Sequence, residues 1–460
     1  GKPNWYTETA LWKTDGTREG TVIIKSFKSN FVRKLIVVGD NLFFTASDDD
    51  AIGEELWKSD GTEVGTVLVK DIYSGATSSF PSDLTKLNEE LYFVAKDESN
   101  KIGLWKSNGT TAGTYMVKDI RPNSVYGSPH LLTEFNNELY FNANDGTNGY
   151  ELWKTNGTAV GTYMVKDINA GEDDSTPGHF AVFEGNLYFS AQDETHGYEL
   201  WKSDGTATGT FMLKDINSFN NQSPSSNSSY PYSFKEFKNE LYFYADDGVH
   251  GAELWVTDGT ISGTRLFLDI APGLQGSFPQ LMAEMNGFLF FEAYTPSSGK
   301  ELWKTDGTIA GTSMVKDIYQ GTGNGLDLAR PIYLVYNGFL YFEAETFANG
   351  EELWKTDGTA NGTTLVKDIN PGPTHSFLGE LTSFDSLLLF VVDDGIHGYE
   401  LWKTDGTTQG TSLFKDIHPK SNFSRYPKYL TRLDRIILFS AVDSIHGAEL
   451  WKTDATVNGT

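Results

Sequence analysis

Histidines and clustered carboxylates are the side chains here that could bind a metal or move a proton, and histidines are scarce, eight in 460 residues. His196, His250, His397 and His446 each follow an acidic stretch, as in Asp246-Asp247-Gly248-Val249-His250-Gly251 and Asp393-Asp394-Gly395-Ile396-His397-Gly398. An imidazole in such a loop suits a metal or ligand site at the mouth. These four, however, recur at whole-repeat intervals, which favours a turn residue written into a repeat over ligands gathered on one ion. Ser47-Asp48-Asp49-Asp50 and Glu172-Asp173-Asp174-Ser175 cluster oxygens without forming a full calcium loop with its distant glutamate. Asp48, Asp49 and Asp50 are the metal candidates; no cofactor is assigned, and calcium is the one left open.

A second set is more individual. Pro81, Pro129, Pro177, Pro231 and Pro279 each stand ten residues before the Leu of a Leu-Tyr/Phe-Phe run. The residue after the proline differs every time: Ser82, His130, Gly178, Tyr232, Gln280, then Ile332 and Lys428 in later copies. Unlike side chains around one mouth are what an asymmetric ligand needs, and loop drift would leave the same pattern. The candidate ligand-binding residues are His130, His179, Tyr232, Gln280, Arg330, His375 and Lys428. No catalytic residue is assigned: the chain has no Gly-x-Ser-x-Gly elbow, His-Glu-x-x-His or phosphate loop.

What must position these residues is one motif written ten times, Glu-Leu-Trp-Lys-Thr/Ser-Asp-Gly-Thr, two free positions, Gly-Thr. Its tryptophans are Trp12, Trp57, Trp105, Trp153, Trp201, Trp255, Trp303, Trp354, Trp402 and Trp451, at steps of 45 to 54 residues. Each copy reads as four short β-type runs separated by turn clusters, with aromatic second runs such as Leu187-Tyr188-Phe189. Asp60-Gly61, Asp204-Gly205 and Asp405-Gly406 supply hairpin turns between the third and fourth runs. Asn108-Gly109 and Asn156-Gly157 replace them, an exchange that preserves turn geometry but would abolish a catalytic carboxylate. The pattern predicts an all-β fold, a β-propeller of four-stranded antiparallel blades forming a single domain over 1–460. Counting runs gives nine blades, with eight the alternative, and the Thr21–Lys25 run placed as the missing outer strand of the last blade.

The string Glu199-Leu200-Trp201-Lys202-Ser203-Asp204-Gly205-Thr206 resembles the ELWxxDGT repeat family of large secreted or surface proteins of bacteria, over essentially the whole chain. Ala10 and Gly103 depart from it at the Glu, Val256 at the Lys and Ala455 at the Gly. The resemblance implies a propeller-like extracellular module and no activity; a place in a longer adhesin or as a secretion-system cargo is a separate option. The Asp-Gly-Thr hairpin is also similar to the structural Asp-box of sialidase-type propellers.

Composition narrows the partners. A net charge of −26, from 62 acidic and 36 basic residues, disfavours nucleic acid and anionic lipid. No apolar run is long enough for direct membrane insertion as a helix, and the absence of cysteine removes disulfides and thiolate chemistry. In a propeller, the loops joining strand two to three and strand four to the next strand one share a face, and here that face carries the length variation. The expected role is therefore non-catalytic binding of a glycan or surface protein through that face. A hydrolase or lyase around His130, His179, Tyr232 and Arg330 is one alternative. A multivalent lectin using exposed repeat Trp and Asp between blades is the other.

Overall fold

The computed structural model describes residues 9–27, 32–48, 51–122, 128–218, 227–327, 332–418, 426–443, 445 and 447–460. Among them every regular element is a strand except one 3₁₀ turn at Val457–Gly459. Eight antiparallel sheets have four strands each, paired in chain order as a propeller blade requires; each is named below by its tryptophan, Trp57 to Trp402. In the Trp201 blade the strands are Gly178–Phe183, Asn186–Asp193, Gly197–Ser203 and Phe211–Lys214. A ninth sheet has three strands, Lys428–Leu433, Ile436–Asp443 and Gly447–Thr453, and the chain opens with a two-stranded sheet, Thr9–Lys13 with Val22–Phe27. The expected pairing of the N-terminal strand with the last sheet is not among these ladders. The chain divides into two compact units, Gly1–Tyr232 and Ser233–Thr460.

In the third strand of the Trp201 blade, Glu199, Leu200 and Ser203 are wholly buried and Trp201 nearly so. The side of this strand that carries Trp201 packs on the preceding blade. One core joins Phe135, Tyr140, Leu152 and Val165 of the Trp153 blade to Leu187, Phe189, Ala191 and Trp201 of the next. Ser203 and Thr210 share a hydrogen bond of 2.7 Å between hydroxyls, which ties the two ends of the hairpin. Asp204 Oδ1 accepts from Thr206 N–H at 2.8 Å and Thr206 Oγ1 at 2.7 Å. Gly205 holds φ +90°, which its neighbours in the turn require of it. The later glycine is fixed by a different cause: a Cβ on Gly209 would lie 2.0 Å from Asp204 Oδ1. Asn108 Oδ1 accepts from Thr110 in the same way, at 3.0 and 2.8 Å, so the Asp-to-Asn exchange does leave the turn intact.

Lys-Asp-Ile at the end of the fourth strand sews blade to blade. Lys166 Nζ donates to Thr210 O of the following blade at 2.7 Å and lies 5.8 Å from the centre of the Trp201 ring. Lys70, Lys118, Lys316 and Lys367 repeat this pair of contacts. Each lysine lays its stem on an indole while its charge meets a carbonyl oxygen. Seven of the ten repeat tryptophans are buried, Trp201 and Trp402 at 5% and 6% exposure, while Trp303 and Trp451 are partly buried and Trp12 of the opening hairpin is 51% exposed.

Candidate functional site

The two loop families expected on one face do meet there. Gly53 N–H donates to Gly75 O at 3.0 Å, bringing the strand two-to-three loop against the blade-to-blade crossover. The residue that organises this meeting is the repeat glutamate. Glu199 Oε2 accepts from Ile216 N–H at 2.7 Å and Ser229 Oγ at 2.7 Å; Oε1 accepts from Asn217 N–H at 3.3 Å and Ser229 N–H at 3.1 Å. One buried carboxyl thus holds both ends of the crossover, the Lys-Asp-Ile end and the serine that opens the next first strand. Glu55 does the same with Ile72, Tyr73 and Ser79, and Glu151 with Ile168, Asn169 and Ser175. Burial pushes the Glu199 and Glu352 carboxyls up to about 8 and those of Glu55, Glu151, Glu301 and Glu400 up to about 7, against the pull of their donors.

The residue after that serine has an unusual backbone. Phe80, Thr176, Tyr230, Phe278 and Phe377 all have φ between +46° and +49°, a region that bulky residues seldom occupy. The conformation is held by a carbonyl that receives two consecutive N–H groups: Ser229 and Tyr230 both donate to Tyr198 O, at 2.8 and 3.2 Å. Thr176 adopts it equally well, so the backbone does not require a ring. Yet the four other positions are aromatic and turned outward, Phe80 at 60%, Tyr230 at 51%, Phe278 at 51% and Phe377 at 41% exposure. Tyr230 and Tyr232, on either side of Pro231, each belong to a ring pair. Tyr198 stacks on Tyr230 at 5.5 Å between centroids, and Tyr232, one residue past Pro231, meets the His179 ring edge-on at 4.5 Å. Tyr232 is exposed, and packing around His179 holds its pKa below the ordinary value.

The first strands carry a bulge close to their start, with a positive-φ residue at Lys34, Asp83, Leu131, His179, Glu380 and Tyr429. The bulge aims these side chains along the row of first strands: Lys34 Nζ donates to Pro81 O at 2.8 Å, and Glu380 Oε2 accepts from Leu430 N–H at 3.3 Å. The variable position that faces the neighbouring blade is thus this bulge, not only the residue after the proline.

Of the sequence-derived candidates, His179 and Tyr232 are brought together. His130 starts its first strand, with Nδ1 2.9 Å from Ser128 O and its ring 5.4 Å from Tyr150. Gln280 starts the first strand of the Trp303 blade, in register with Glu292. Lys428 lies 4.3 Å over the Tyr426 ring, and His375 packs on Phe377 and faces Glu351. Arg330 falls outside the described residues, as do Asp49, Asp50 and His446. Asp48 pairs with Lys25 at 3.1 Å. The described loop histidines are turn residues: His196, His250 and His397 each pair through Nδ1 with the aspartate three residues back, at 2.7 to 2.8 Å.

No family model and no curated protein matches the chain in sequence. Solved structures similar to it include the computationally designed Ika8 protein, at 14% identity over 81% of this chain and 98% of that one, with a TM-score of 0.34. Puromycin hydrolase is similar at 12% identity over 79% of this chain and 60% of that one, TM-score 0.35. A puromycin-hydrolyzing peptidase of Mycobacterium tuberculosis gives 12%, 79% and 57%, TM-score 0.34. The chain therefore spans 60% or less of either hydrolase.

Proposed function

We propose that this propeller is a non-catalytic binding protein that recognises a glycan through its crossover face, with Tyr198, Tyr230, Tyr232 and His179 as the principal contact. The observation that carries this is Tyr230: an exposed aromatic ring in a strained backbone conformation that Thr176 shows the fold can fill without one. Strained conformations of this kind cost about 1–3 kcal/mol and cluster at functional sites. Rings with an apolar face and a polar tip suit a ligand that is itself amphipathic, as a sugar ring is. The resemblance to the ELWxxDGT repeats supports an extracellular or cell-surface setting and a role in adhesion.

A multivalent lectin built on the repeat motif is disfavoured, because the indoles it would offer are inside: Trp201 and Trp402 are 5% and 6% exposed. A glycan array probed with the wild type and with Tyr230→Ala tests the proposal. Retained binding by a folded Tyr230→Ala, Tyr232→Ala double variant would falsify the site assignment.

A further inference from the structure

We propose that copies of this chain assemble head to tail, the three-stranded last sheet of one copy receiving the opening hairpin of a second. Successive blades meet through two unlike faces. Phe135, Tyr140, Leu152 and Val165 of the Trp153 blade point toward the next blade, where Leu187, Phe189, Ala191 and Trp201 receive them with Met212 alongside. The same match recurs between Leu87, Tyr92, Leu104 and Val117 of the Trp105 blade and Leu139, Phe141, Ala143 and Trp153 of the one after it. The first set is the forward face of a blade, and the second is the backward face of its follower.

The last sheet leaves a forward face uncovered. Its second and third strands pair Phe439 with Trp451 as the Trp153 blade pairs Phe141 with Trp153, which puts Leu433, Leu438 and Leu450 at the forward positions. Leu450 is 49% exposed and the other two are partly exposed, whereas the corresponding leucine is wholly buried in all eight four-stranded blades. Glu449 beside it is exposed too, where Glu199 is wholly buried. Among the described residues no fourth strand covers the edge of Gly447–Thr453, so unpaired main-chain groups border the same apolar surface.

The opening hairpin leaves the complementary face uncovered. Trp12 pairs with Ile23 as Trp201 does with Met212, and these two backward positions are 51% and 50% exposed. The other side of the hairpin is fixed: Leu11, Ile24 and Phe27 are buried against Phe44, Ala46 and Trp57 of the following blade. A bare forward face and a bare backward face fit one another because the chain matches such faces at its own blade boundaries, and a second copy continues that packing. Neither face matches itself, so the contact is heterologous, and each copy, carrying both, can add a further one.

The test is sedimentation velocity of the full chain over a wide concentration range, with no glycan present. The wild type is expected to show a mean mass that rises with concentration. Leu450→Glu and Trp12→Glu each put a carboxylate into the contact and should weaken association roughly tenfold or more. A mixture of the two separates lost contact from lost folding: Leu450→Glu keeps the hairpin face, Trp12→Glu keeps the last-sheet face, and together they should form a dimer that grows no further. Val64→Ser, a change at a 90% exposed residue of the Trp57 blade, should associate like the wild type. A wild type that stays monomeric at every concentration, as closure of one chain's two faces on each other would make it, would overturn the proposal. So would undiminished association of both variants alone, or a mixture of the two that stays monomeric.

Discussion

Replacing Glu199 by glutamine removes the titration of one buried carboxyl while keeping its shape. Glu199 is wholly buried, accepts four hydrogen bonds and has its pKa raised from 4.5 to about 8, burial being the largest cause. Between pH 4.5 and 8 the folded protein holds a proton here that the unfolded chain has released, so stability falls as pH rises through that window. The contribution is complete below 4.5 and gone above about 8. At ~1.4 kcal/mol per pH unit the interval comes to roughly 5 kcal/mol at most. Glu199→Gln also turns an amide NH₂ toward the donors of Ile216, Asn217 and Ser229, which costs about 1–3 kcal/mol. Denaturant midpoints of wild type and variant, measured from pH 5 to 8, isolate this one group, because the other buried glutamates titrate in both proteins. The expected result is a variant less stable at pH 5 whose deficit shrinks as pH rises and reverses before pH 8, because the wild type loses up to about 4 kcal/mol over that range against a cost of about 1–3. Parallel pH profiles would show that the four donors hold the carboxylate ionised and that burial does not win.

Other expectations follow from the repeat. Gly209→Ala places a methyl group 2.0 Å from Asp204 Oδ1 and should cost about 1–3 kcal/mol in thermal or denaturant unfolding. Because Asp204 is the obstacle, Asp204→Ala should cancel much of that loss, giving a coupling of about 1 kcal/mol or more in a double-mutant cycle. Lys166→Met removes the hydrogen bond to Thr210 O and the contact with Trp201. It should cost about 1–2 kcal/mol, and raised hydrogen exchange at the Trp153–Trp201 blade boundary would locate the loss.

Much of the fold was legible because turn and strand chemistry is local. Asn108 and Asn156 in place of Asp marked the turn as structural, and both sit in it as expected. The second glycine, Gly209, was visible but unexplained, since its cause is the position of Asp204 in space. Glu199 repeated in the sequence like any scaffold residue, yet nothing local shows a charged side chain going inside to hold a crossover seventeen or more residues away. At the site, the residue after each proline points to Tyr232 and passes over Tyr230, the residue before Pro231. The sequence signal was there, an aromatic before proline in Phe80-Pro81, Tyr230-Pro231 and Phe278-Pro279. Its meaning depends on a positive φ set by two N–H groups sharing one carbonyl. Likewise His179 owes its direction to a bulge that no residue pattern announced.

Glycan binding through the exposed rings of Tyr230 and Tyr232 is the proposal to be tested. Glycan-array binding by Tyr230→Ala, beside Tyr163→Ala as a control that removes an exposed ring from a fourth strand, tests it most directly. Specific binding is expected of the wild type and of Tyr163→Ala, and its loss in a Tyr230→Ala protein that melts within a few degrees of wild type. Equal binding by all three, or no glycan bound by the wild type, would contradict it.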